Sequence, residues 1–124
     1  LSALSEKRIL LVEDQFLLAL SFQDILEDCG ATVVGPFQSV STALEGISSV
    51  SEQLDLALLD VDLSGKSSFP VAQRLTELDI PFLFATGFGR RALAEYPSIP
   101  ILEKPFTDDE LFDALVAILP EPVG

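Results

Sequence analysis

Apolar residues fall along this chain in short blocks, and the blocks follow two different periods. "RILLV" (Arg8 to Val12) is an unbroken apolar run behind a charge, the pattern of a strand buried on both faces. From Gln15 to Cys29 the apolar residues Phe16, Leu17, Leu20, Ile25 and Leu26 recur at helical spacing, and Gly30 stands where that helix stops. "ATVVG" (Ala31 to Gly35) predicts a second strand, and "SVSTALEGISS" (Ser39 to Ser49) a second helix capped by Ser39 or Ser41. "LDLALLD" (Leu54 to Asp60) predicts the third strand. Residues Phe69 to Leu78 predict the third helix, with Pro70 in the first turn where a missing N–H does no harm. "PFLFAT" (Pro81 to Thr86) is the fourth strand, "GFGRRALAEYP" (Gly87 to Pro97) leaves room for a short fourth helix at most, and "IPILEK" (Ile99 to Lys104) is the fifth strand. Thr107 with Glu110 three residues on is a capping box, opening a last helix that runs to about Leu119, before Pro120 and Pro122.

Five strands alternating with five helices predict an α/β fold with a parallel sheet covered on both faces. Right-handed crossovers with helices on both sides require the winding to reverse. For five strands the common solution is the order 2-1-3-4-5, a flavodoxin-like (βα)5 fold. A chain of 124 residues fits one domain, read here as 7–120, with residues 1–6 and 121–124 as tails. There is no internal repeat or low-complexity segment. No apolar run nears the ~18 residues of a membrane helix. "LSALSEKR" has no basic region followed by an apolar core, so no signal peptide is expected.

Charge narrows the partners. A net charge of −13, from 20 acids against 7 bases, argues against nucleic acid and against an anionic membrane surface. Much of it reads as solvated surface, but a divalent cation or a basic partner is electrostatically welcome. The single cysteine, Cys29, reads as a packing residue and cannot form a disulfide within the chain, which suits a reducing cytoplasm. The chain has no histidine, which removes Ser-His-Asp and Cys-His catalysis and the usual zinc sites. Any phospho-histidine chemistry must therefore start on another protein.

The candidate chemistry lies at strand ends. In the expected order, strands 1, 3, 4 and 5 are neighbours, and their C-terminal ends carry Glu13 and Asp14, Asp60, Thr86, and Lys104. All fall on one edge, beside the switch point where open α/β sheets bind ligands. Carboxylates gathered there repel one another, which raises pKa values or recruits a cation, and an oxygen-only donor set suits Mg²⁺. Thr86 adds a hydroxyl and Lys104 a mobile charge of the kind that binds phosphate. The set makes a site for a phosphoryl group and its magnesium. Singly, each residue has a blander reading as cap, turn residue or surface charge. The argument rests on their falling at four neighbouring strand ends.

"LLVED" (Leu10 to Asp14), "LLDVDLSG" (Leu58 to Gly65), "FATG" (Phe84 to Gly87) and "EKPF" (Glu103 to Phe106) together resemble a response regulator receiver domain, the phospho-acceptor module of two-component signalling. The resemblance covers essentially the whole chain. "PFLFATGFG" is similar to a subgroup with a Phe-Ala-Thr-Gly signature, often stand-alone receivers of alphaproteobacteria. The resemblance implies that Asp60 is phosphorylated. Asp14 would bind Mg²⁺ directly, Glu13 through water and Asp62 through its backbone carbonyl. Thr86 and Lys104 would hold phosphoryl oxygens, with the Lys104–Pro105 bond cis. It further implies a sensor histidine kinase as phosphodonor, and a histidine phosphotransfer protein or downstream effector as further partner. The setting would be a bacterial cytoplasm, with no membrane or nucleic-acid partner. The domain would be a signalling device and not an enzyme, one that catalyses its own phosphorylation and dephosphorylation.

Two positions depart from the family pattern. Ile101 stands where most relatives carry a Tyr or Phe coupled to the threonine, and Thr86 is followed by Gly87, Phe88 and Gly89. Those glycines lead us to expect a mobile segment after Thr86. The Asp62 side chain has two readings, either facing the phosphoryl group and tuning its lifetime, or a solvated loop acid. Two rivals remain. "DVDLSG" also fits the Asp-x-Asp of haloacid-dehalogenase-like phosphatases, using Asp60 and Asp62, although there the motif ends the first core strand and the other acid pair comes late. The second rival is a receiver fold that acts as a phosphorylation-independent interaction module. A nucleotide or flavin binder is disfavoured because no Gly-x-Gly-x-x-Gly follows the first strand.

Overall fold

Successive residues of each central strand face opposite sides of the sheet, and each side buries its own helices. The computed structural model describes residues 2–50, 53–87 and 94–120. Its elements are β1 (Arg8–Val12), α1 (Phe16–Asp28), β2 (Thr32–Phe37), α2 (Val40–Val50), β3 (Leu56–Asp60), β4 (Asp62–Leu63), β5 (Lys66–Ser67), α3 (Phe69–Glu77), β6 (Phe82–Thr86), β7 (Ile101–Glu103) and α4 (Asp108–Ile118). The main sheet has five strands in the order β2-β1-β3-β6-β7, all parallel. Because β4 and β5 form a separate hairpin, this is the expected 2-1-3-4-5 order.

Leu10, Val12, Ala57, Leu59, Phe82 and Phe84 line one face, where Ala43 and Ile47 of α2 and Val71, Ala72 and Leu75 of α3 cover them. Ile9, Leu11, Leu56, Leu58, Leu83 and Ala85 line the other, under Phe22 and Leu26 of α1 and Leu111 and Leu115 of α4. Gly30 ends α1 with φ +86°, as its position predicts. Thr107 opens α4 through a complete capping box with Glu110. No helix among the described residues is long and apolar enough to cross a membrane.

Several expectations need correction. Residues 2–6 are not a loose tail: Leu4 is fully buried against the α1 side of the core, and the Glu6 amide donates to the Gly30 carbonyl at 2.8 Å. The helical run in α1 is real, but Phe16, Leu17 and Leu20 are 62%, 79% and 40% exposed, and Ala19, Phe22 and Leu26 are the buried stripe. Apolar residues occupy more than one face of this helix, so period alone could not say which face packs. The second strand does not stop at Gly35. It continues to Phe37 through a cis Gly35–Pro36 bond and a register shift, which an edge strand tolerates because one of its sides needs no ladder partner. The β4–β5 hairpin was not expected, being two residues per strand. The short helix expected within Gly87–Pro97 falls largely on residues 88–93, outside the described residues, as does the tail 121–124.

Candidate functional site

β1 and β3 pair with Val12 opposite Leu59, so Glu13 and Asp60 leave the sheet side by side. The extension of β2 fixes the first of them, because the Glu13 amide donates to the Phe37 carbonyl at 2.9 Å. Glu13 and Asp60 are buried, at 1% and 7% exposure, and Asp14 is half-buried. Carboxylate oxygens of Glu13, Asp14 and Asp60 lie within 4.8 Å of one another, the one group of three acids so arranged among the described residues.

The fifth sheet strand brings the counter-charge. β6 and β7 pair with Thr86 opposite Glu103, and the Lys104 amide donates to the Thr86 carbonyl at 3.0 Å. The Lys104 ammonium then donates to Glu13 Oε1 at 2.6 Å and to Asp60 Oδ2 at 3.2 Å. Its Nζ also lies 6.0 Å from the centroid of the Phe22 ring, which stacks on Phe106 at 5.3 Å. The Lys104–Pro105 bond is cis. Thr86 is buried at the same edge, and Gly87 beside it is exposed.

The electrostatics follow from this crowding. Burial foremost, together with neighbouring Asp60, pushes the Glu13 carboxyl from 4.5 up to about 7, against the opposing pull of Lys104. Burial works to lower the Lys104 pKa, but its bond to Glu13 and the charge of Asp60 outweigh that and hold the ammonium above its ordinary value. Partial burial works to raise the Asp14 carboxyl, but hydrogen bonds, that of Ser64 foremost, outweigh it and hold it below its ordinary value.

Not every anticipated residue joins the cluster. Asp62 is exposed, and its Oδ1 accepts from the Gly65 amide at 3.1 Å, so its carboxylate braces the hairpin turn. Only its backbone touches the centre, with the Asp62 amide donating to Asp60 Oδ1 at 3.2 Å. Ile101 is half-buried opposite Phe84. The aromatic weight on that face comes instead from Tyr96, whose ring lies 5.6 Å from Phe84 and 5.1 Å from Phe69. The segment expected to move after Thr86 lies, from Phe88 to residue 93, outside the described residues.

Two contacts escaped the sequence reading. Phe22 under Lys104 carried no signal beyond a helical apolar position. Ser64, whose hydroxyl donates to Asp14 Oδ2 at 2.7 Å, sits in a Ser-Gly pair that marks a turn but does not say what the turn faces.

The family model of the response regulator receiver domain matches residues 9–116. The solution structure of SdrG from Sphingomonas melonis Fr1 superposes with a TM-score of 0.80 and 41% identity, covering 95% of this chain and 98% of that one. The BeF3-activated conformation of SdrG from Pseudomonas melonis Fr1 gives a TM-score of 0.76 and 39% identity, covering 94% and 98%. Nodulation protein W from Bradyrhizobium diazoefficiens is 33% identical over 116 residues, 88% of this chain and 49% of that protein. The chain spans about half the length of the curated relatives it matches. Acids at the ends of β1 and β3, a threonine at the end of β6 and a lysine after β7 share one sheet edge, and the family match spans nearly the whole chain. The chain is therefore a member of the response regulator receiver domains of two-component signalling.

Proposed function

We propose that Asp60 accepts a phosphoryl group from a sensor histidine kinase and that Glu13, Asp14, Asp62, Thr86 and Lys104 serve that transfer. The observation that carries this reading is the Asp60 carboxylate itself. It is held at the rim of a buried strand, 3.2 Å from a lysine ammonium and within a cluster of acids. An Asp60 oxygen attacks phosphorus, the N–P bond of the kinase phospho-histidine breaks, and its electron pair returns to the imidazole nitrogen. The product is an aspartyl phosphate. Lys104, already bridging Glu13 and Asp60, turns its charge to the phosphoryl oxygens, and the Thr86 hydroxyl takes another. Water later cleaves the acyl phosphate in the same site.

The donor set fits a hard cation, since the acids offer only oxygens and neither nitrogen nor thiolate stands among them. Asp14 and Asp60 would hold Mg²⁺ directly, Glu13 through water, and Asp62 through its carbonyl. Such an ion supplies positive charge against the phosphoryl oxygens.

Phosphorylation converts the Asp60 carboxylate into an acyl phosphate carrying about two negative charges, a net gain of about one, and places three acceptor oxygens where Lys104 now pairs with Glu13 and Asp60, so that pairing must be redrawn. The BeF3-activated form of the similar SdrG supports a conformational change of this kind; the change would act on a downstream effector, or the phosphoryl group would pass to a histidine phosphotransfer protein. Phe16 and Leu17 stand exposed at the start of α1, within three residues of Asp14, which supports this face as the seat of the kinase in the cytoplasm. The test is exposure to acetyl phosphate with Mg²⁺, read by intact mass. We expect one phosphoryl group on the wild type and none on Asp60→Ala. A wild type that takes none, or an equal gain in the variant, overturns the assignment.

A further inference from the structure

Ser64 occupies an awkward seat. Its φ is +54°, in the left-handed region where a residue with a β-carbon is strained. With Gly65 at φ +87° it forms the two-residue turn between β4 and β5, a geometry that glycine or asparagine fills with less strain. Closing this turn does not call for serine. What serine adds is a hydroxyl, and that hydroxyl donates to Asp14 Oδ2 at 2.7 Å, 50 residues away in sequence.

The hairpin is a firm base for that contact. Leu63 is buried in the core at 3% exposure, and the Asp62 carboxylate accepts from the Gly65 amide across the turn. At the hairpin's two ends, the Asp62 amide donates to Asp60 Oδ1 and the Ser68 amide to the Val61 carbonyl. The tip cannot drift from Asp14 without disturbing these ties. Asp14 itself is only half-buried and lacks the lysine contact that fixes Glu13 and Asp60. Among the hydrogen bonds to its carboxylate, the one from Ser64 comes from a side chain carried by another element.

We propose that Ser64 is a positioning residue for the divalent cation, committing one Asp14 oxygen to the hairpin tip so that the other is held ready for the ion. This rests on the reading of Asp14 as a metal ligand. It follows that metal binding is felt at the hairpin and at the start of α3, which comes directly after it. A ligand kept in place by a partner outside the coordination sphere binds metal more tightly than one free to rotate.

The experiment is a Mg²⁺ titration of the full chain followed by amide proton–nitrogen spectra, for wild type, Ser64→Gly and Asp14→Asn. Glycine relaxes the turn, so Ser64→Gly melts no lower than wild type. We expect it to need roughly three- to tenfold more Mg²⁺ for half-saturation. Gly65 and Lys66 shift with Mg²⁺ in the wild type and shift less in Ser64→Gly, where only the routes through the Asp62 carbonyl and the residue-64 amide remain. A Ser64→Gly affinity equal to or tighter than wild type overturns the role of Ser64 while the metal reading stands. A wild type without saturable Mg²⁺ shifts, indistinguishable from Asp14→Asn, overturns the metal reading and the role of Ser64 with it.

Discussion

Lys104 bridges Glu13 and Asp60, at 2.6 and 3.2 Å, although 91 and 44 residues separate it from them along the chain. One ammonium thus serves two buried carboxylates, with a third acid, Asp14, beside them. The arrangement is electrostatically short of positive charge. That shortage makes the site responsive to an added cation or an added phosphoryl group.

Removing the ammonium exposes the shortage. Lys104→Met leaves Glu13 and Asp60 buried without their counter-charge, each keeping one backbone amide donor, from Gln15 and Asp62, and should destabilise the metal-free protein by about 3 kcal/mol. Mg²⁺ should recover much of that loss, because the ion takes over the neutralisation. Urea denaturation with and without Mg²⁺ measures both effects, and a variant as stable as wild type without metal would count against the bridge.

The raised Glu13 pKa sets a pH dependence. The folded state holds a proton up to about pH 7 that the unfolded chain releases near 4.5, so unfolding releases a proton in this window. Raising the pH through it therefore favours unfolding, by at most about 3 kcal/mol. Asp14, whose pKa is lowered, acts in the opposite sense, but only below its ordinary value of 3.8. With chelator present, the melting temperature should fall from pH 5 to pH 8 (roughly the span of the two Glu13 values). With Mg²⁺ the fall should shrink, since the ion favours the ionised acids. A metal-free melting temperature that rises over this range would contradict the environment described for Glu13.

The exposed start of α1 offers a test of partner docking. Leu17 is 79% exposed, so Leu17→Asp should change stability by no more than about 0.5 kcal/mol. Phosphorylation by acetyl phosphate should be unchanged, while transfer from the kinase should slow at least several-fold. Phosphotransfer time courses with both donors separate the two, and equal kinase rates would move the docking face elsewhere.

The N-terminal residues contribute to the fold. Leu4 has no exposure, and Leu4→Ala should cost about 2–4 kcal/mol in urea denaturation. A cost near zero would return those residues to the status of a tail.

The alternation of short apolar runs with helical spacing was enough to predict a parallel sheet, its strand order and the edge where Glu13, Asp14, Asp60, Thr86 and Lys104 gather. This was legible because a strand buried on both faces must be apolar throughout, so the first polar residue after it marks the rim. The capping box at Thr107 and the stop at Gly30 were legible for a similar reason, each being a local device written in adjacent residues. Contacts between distant segments were not legible. Nothing in "FLLAL" says that Phe16, Leu17 and Leu20 face outward while Ala19 packs, because that depends on where the helix lies on the sheet. Nothing in "DLSG" says that Asp62 braces its own turn while Ser64 reaches Asp14. Periodicity specifies an element and its possible faces, whereas the choice of face and partner is made by packing against segments far away in the chain, and only the tertiary structure records it.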